Sequence, residues 1–90
     1  MIVTRKKLAQ KLTDYLYHRI TFSHLVDWAE LVMMDAEFED QHFELIREIV
    51  TRLVVADVRT FGMTWEDCEE FLSKLGYRIS LTVTEYAKAA

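Results

Sequence analysis

Proline is absent from this chain, and glycine occurs only twice, at Gly62 and Gly76. Sandwiches, barrels and disordered linkers rely on both residues as punctuation, so those classes are disfavoured and long uninterrupted helices are expected. A single cysteine, Cys68, excludes an intrachain disulfide framework and fits a reducing compartment. No stretch of about 18 uncharged apolar residues occurs, and no apolar run of signal-peptide length follows the basic N-terminus. Neither a membrane span nor a secretory signal is therefore expected, and the cytoplasm is the expected location. Also missing are a phosphate-cradling glycine loop, a nucleophile elbow and a Cys/His zinc spacing.

What is present is a 90-residue chain with 51% apolar residues, one domain's length with enough apolar content for a core. The net charge is −4 and unevenly placed. Residues 1–20 carry Arg5, Lys6, Lys7, Lys11 and Arg19 against Asp14, whereas residues 21–90 carry fourteen acids against six bases. A nucleic-acid binder needs a basic face to neutralise phosphates, and only the first helix could supply one, beside an acidic body. Nucleic acid is not the expected partner.

Helical periodicity recurs four times. Thr4 can cap a helix to about Tyr17, with Leu8, Leu12, Tyr15 and Leu16 on one stripe. Thr21 can cap a second helix to about Ala36, and Ile20 and Leu25 have hydrophobic-staple spacing. Its main face is Phe22, Leu25, Val26, Ala29, Val32, Met33 and Ala36. Trp28, Leu31 and Met34 widen that face beyond what a one-sided helix needs, so the helix is either central or meets a partner. Asp40 can cap a third helix to about Val58, apolar nearly all round at Leu53, Val54, Val55 and Ala56 and so expected to be the most buried. Arg59 to Met63, with Gly62, reads as a turn. Thr64 and Asp67 form a capping box for a fourth helix, Met63 and Cys68 have staple spacing, and Gly76 stands at the C′ position with Tyr77 able to pack back on Leu72. Ile79 to Val83 then alternates like a strand. Its partner would be Ile2-Val3 or the same segment of a second subunit. The expected fold is all-α, a four-helix bundle-like single domain over residues 1–83 with a short C-terminal β segment and a flexible tail over 84–90.

Each candidate for chemistry has a plainer reading. Glu39 and His42 have the i, i+3 spacing of helical di-iron sites, but such sites need that pair twice and further carboxylates, and no second copy exists. Asp35, Glu37 and Glu39 imitate the start of a calcium loop, yet Asp40 stands where glycine is required and Ile46 where the bidentate glutamate belongs. His18 and His24, with Asp14 and Asp27 nearby, would need a third convergent group to act as a metal-assisted centre. Cys68 lies among acids, which raise a thiol's pKa and disfavour a reactive thiolate. No catalytic, cofactor-binding or metal residue is assigned, and the chain does not read as an enzyme.

Surface remains. Eight acids and one base lie between Asp27 and Glu48, and a second acidic cluster spans Glu66 to Glu70. Such faces can steer basic partners into fast encounters, or simply keep an apolar-rich protein soluble. The residues expected to meet a partner are Asp35, Glu37, Glu39, Asp40, Glu44, Glu66, Asp67, Glu69 and Glu70. Aromatic anchors beside them, Trp28, Trp65, Phe38 or Tyr77, would sharpen that reading. A homodimer through Trp28, Leu31, Met34, Ile79, Leu81 and Val83 is the alternative, a self-associating structural or regulatory protein.

The runs Leu12-Thr13-Asp14-Tyr15-Leu16, Ile20-Thr21 and Leu25-Val26-Asp27-Trp28-Ala29 resemble the start of colicin D-type bacterial immunity proteins. There a first amphipathic helix ends near an Ile-Ser/Thr step and a second begins at once. The resemblance covers about a third of the chain; the second half, with Thr64 to Cys68 and Gly76-Tyr77, lies outside it and looks like other small bacterial proteins. It implies an acidic helical inhibitor that occupies the basic active-site cleft of a toxin nuclease, a non-enzymatic immunity protein, with no family binding residue carried over.

Overall fold

The computed structural model describes residues 2–56 and 63–85. Among them lie strand β1 (Ile2–Val3), helices α1 (Arg5–Leu16) and α2 (Phe22–Asp35), strand β2 (Glu37–Phe38), a 3-10 turn (Asp40–His42), and helices α3 (Phe43–Ala56) and α4 (Trp65–Lys74). The chain is mostly helical, with one two-stranded parallel sheet pairing Ile2 with Glu37 and Val3 with Phe38.

Three of the four helices start where a threonine hydroxyl can accept an otherwise orphaned backbone N–H. Thr4 Oγ1 accepts from the Lys7 amide at 3.0 Å, Thr21 from His24 at 3.0 Å, and Thr64 from Asp67 at 3.1 Å. The Asp67 carboxylate returns the favour to the Thr64 amide at 3.0 Å, completing the capping box. Two helices also end alike. After α4 the Gly76 amide donates to Ser73 and the Tyr77 amide to Leu72, a Schellman closure with Gly76 at φ +95°. After α1 the His18 amide donates to Tyr15 and Arg19 to Asp14, the same closure with a histidine at φ +62° in the glycine position. The third helix is the exception. Asp40 does not cap it; the chain enters through the 3-10 turn instead.

The core gathers Val3, Leu8, Leu12, Leu25, Ala29, Val32, Ile46, Ile49, Val50, Leu53, Phe71, Leu72 and Leu75, and among the described residues no polar or charged one is buried with them. The most extensive helix pairing is α2 with α3. Two expectations about these helices need correction. In α2, Trp28 turns inward and Met33 outward, so the buried face is rotated from the one read in the sequence. In α3, Val55 is half-exposed, so the helix is one-sided and its buried stripe is Ile46, Ile49, Val50, Leu53 and Ala56. The expected helical residues 57 and 58, the turn from Arg59 through Gly62 and the end of the tail lie outside the described residues.

The C-terminal β segment is also corrected. Residues 77–85 contain no strand, and β1 pairs with β2 rather than with Ile79–Val83. Alternation marks a segment that could be a strand, but a strand needs a partner for its backbone groups. Segment 37–39 meets β1 because it is held there: the Glu39 amide donates to the Val3 carbonyl at 3.0 Å, and the Glu39 carboxylate accepts from the Arg5 amide at 2.9 Å.

Candidate functional site

Helix α1 begins Arg5-Lys6-Lys7 and has no acid in its first turn, although a helix N-terminus carries partial positive charge. Glu39 supplies the missing anion. Its carboxylate accepts the Arg5 amide and also meets His42 Nδ1 at 3.1 Å. The Arg5 hydrogen bond, with help from His42, holds the Glu39 carboxyl below the usual carboxylate range. The Glu39–His42 spacing does bring the two side chains together, in the service of capping α1. Glu39 is therefore engaged within the fold, unlike its neighbours in the first acidic cluster.

Arg5 closes the opposite side of the same corner. Its Nη1 donates to the Leu75 carbonyl, where α4 ends and cations are favoured, and its guanidinium lies over the Tyr77 ring at 5.2 Å. A Cβ at Gly76 would stand 3.0 Å from that Nη1. The start of α1, the end of α2, the start of α3 and the end of α4 are thus gathered at one end of the molecule around β1 and β2. Sequence reasoning missed both Glu39 and Arg5 as structural residues. The available signal was a helix opening on three cations with no acid to meet its dipole.

The acids expected to bind a partner divide into two groups. Glu39, Asp67 and Glu70 are engaged: Asp67 in its capping box and within 3.7 Å of Arg52, and Glu70 with Lys74 at 3.2 Å. Lys74 also reaches Glu48 at 3.2 Å, so it and Arg52 tie α4 to α3. The hydrogen bonds that the Lys74 ammonium donates to the Glu48 and Glu70 carboxylates raise its pKa. Asp35, Glu37, Asp40, Glu44, Glu66 and Glu69 are exposed and have no ion pair or side-chain hydrogen bond among the described residues. The first four follow one another from the end of α2 to the start of α3. There the rings of Phe38 and Phe43, 5.8 Å apart, add aromatic surface, Phe43 being exposed. Glu66 and Glu69 face a groove of about 620 Å³ between α4 and residues 76–79, with Tyr77 and Ile79 in its wall.

The apolar candidates divide as well. Trp28 is 9% exposed and belongs to the core, its ring face covered by the Lys11 ammonium at 5.5 Å. Leu31 and Met34 stand out from α2, Met34 at 81% exposure. Ile79 is half-buried against the core, whereas Leu81 and Val83 are 73% and 84% exposed.

The groups weighed for catalysis do not converge. His18 borders a depression of about 260 Å³ with Tyr15, Trp65 and Cys68, whereas His24 borders a different one with Asp27, Trp28 and Leu31. Burial, with the Asp67 charge adding to it, pushes the Cys68 thiol up to about 11, and burial raises the Tyr15 hydroxyl in the same direction. Both stay protonated at neutral pH. Among the described residues no three His, Cys, Asp or Glu side chains could together hold a metal ion. No helix among them is long and apolar enough to cross a membrane. The chain matches no family model, no curated protein and no solved structure.

Proposed function

We propose that this protein is a non-enzymatic protein-binding module, a four-helix bundle that presents its unpaired acids to a basic partner. The supporting observation is the division among the acids. Those held within the fold are engaged by Arg5, His42, Arg52 and Lys74, while Asp35, Glu37, Asp40 and Glu44, beside exposed Phe43, have no cation partner among the described residues. Like charges crowded on one corner repel each other, and a basic surface relieves that repulsion while steering the encounter. An aromatic ring among them supplies the apolar contact that charge alone lacks. The colicin D-type resemblance gives this reading its narrowest form: an immunity protein that fills the basic cleft of a toxin nuclease.

The test is affinity capture with wild-type protein and two neutralised variants. One carries Asp35→Asn, Glu37→Gln, Asp40→Asn and Glu44→Gln; the other carries Glu66→Gln and Glu69→Gln. None of these side chains makes an ion pair or a side-chain hydrogen bond among the described residues. The expected result is a basic partner retained by wild type at about 0.05 M salt, released as salt rises and screens the charges, and lost from the first variant. A partner held equally by all three proteins, or one indifferent to salt, overturns the proposal, as does the absence of any partner specific to wild type.

A further inference from the structure

The segment after α4 leaves the body with its backbone unmet. No amide from Arg78 to Glu85 donates to a backbone carbonyl among the described residues, and the only strands there, β1 and β2, are two residues long and paired with each other. The side chains nevertheless keep strand order. Tyr77, Ile79, Leu81 and Val83 alternate with Arg78, Ser80, Thr82 and Thr84, and burial falls steadily along the apolar set, from half-buried Tyr77 and Ile79 to Val83 at 84% exposure. The molecule measures 52 Å along its longest axis against 29 Å and 20 Å for the others. An extended apolar edge of this kind, unpaired and projecting, invites pairing with another strand.

We infer that the other strand is the same segment of a second copy, paired antiparallel about a two-fold axis through Leu81. The apolar and polar pattern of Ile79-Ser80-Leu81-Thr82-Val83 is symmetric about that position. In this register Ile79 faces Val83 of the copy, Leu81 faces itself, and Val83 faces Ile79, so the whole apolar set falls on one side of the ribbon. On the other side Ser80 faces Thr82, a favourable hydroxyl pair. Charge selects the antiparallel arrangement, which sets Arg78 opposite Thr84 and Glu85 opposite Tyr77 and so keeps like charges apart. A parallel pairing would set Arg78 beside Arg78 and Glu85 beside Glu85. The arrangement is isologous and closes after two copies. It brings each protruding Val83 back to the half-buried Ile79 beside the other body. The interface is smaller than the standard of about 1,600 Å², so the dimer is weak and concentration-dependent. It uses none of the acids proposed above to meet a basic partner, and the two proposals stand or fall separately.

Sedimentation equilibrium over a concentration series, combined with cysteine crosslinking, tests the pairing. Wild type is expected to pass from monomer to dimer as concentration rises, and Leu81→Asp, at a site too exposed to affect folding, to remain monomeric. Directly opposed residues in antiparallel strands have Cα atoms about 4.5–5.5 Å apart, within disulfide range. Leu81→Cys is therefore expected to crosslink to itself faster than Ser80→Cys. Ile79→Cys is expected to crosslink with Val83→Cys when the two proteins are mixed, and not with itself. Buried Cys68 does not compete for oxidation. Wild type that stays monomeric at about 1 mM, a Leu81→Asp variant that still dimerises, or a crosslinking order that favours Ser80→Cys overturns the inference.

Discussion

His18 and Gly76 occupy the same station at the ends of different helices, and only one of them suits it. A left-handed residue with a side chain suffers a clash between Cβ and the neighbouring carbonyl that costs about 1–2 kcal/mol, whereas glycine avoids it and loses somewhat more chain entropy on folding. His18→Gly is therefore expected to raise stability by about 0.5–1 kcal/mol in urea unfolding. Gly76→Ala is expected to lower it by about 1–2 kcal/mol, with the added Cβ pressing on Arg5 Nη1 at 3.0 Å. Equal responses at the two sites would contradict the shared closure. Histidine tolerates the left-handed region better than most residues. Its presence there after α1 was not legible in the sequence, because nothing local distinguishes a C′ histidine from one a turn earlier. Gly76 was legible, since glycine just past a run of helical periodicity has few other uses.

At the scale of the elements, the helix starts marked by threonine were readable and the third was not. A hydroxyl at the N-cap acts on amides two and three residues away, so its signal is local. What brings β2 to β1 and positions the entry to α3 is Glu39, whose partners Val3 and Arg5 lie more than thirty residues earlier in the chain. No window of sequence contains that contact. It has a pH signature. The Glu39 carboxyl sits below its ordinary value of 4.5, so the folded state holds its proton less tightly than the unfolded chain. The stabilisation is complete above 4.5 and is lost as pH falls through the lower folded-state value. Glu39→Gln is expected to flatten the dependence of the urea midpoint on pH below 4.5. A midpoint that falls as steeply in the Glu39 variant as in wild type would remove Glu39 from this role.

The whole molecule rests on the seam between α2 and α3. Leu53 of α3, fully buried in the core, is expected to cost about 2–5 kcal/mol when replaced by alanine, a large share of the 5–15 kcal/mol that holds a typical domain together. Met34→Ala, at 81% exposure, is expected to change stability by less than about 0.5 kcal/mol, and thermal unfolding of the pair checks the contrast. The helical class was readable from composition and periodicity. The exchange of Trp28 for Met33 on the buried face of α2 was not, because that helix is apolar over more than half its circumference and only its neighbours decide which part turns inward. Two residues seventy positions apart finish the structure, Arg5 at the first turn of α1 and Leu75 at the end of α4. A ribosome delivers the first of them long before the second. During synthesis α1 emerges with three adjacent cations and waits for Glu39 to settle its N-terminus and then for Leu75 to engage its arginine. A chain cut short before residue 75 has no Leu75 carbonyl for that guanidinium, and the last turn of α4 to be translated is the one that fastens the first.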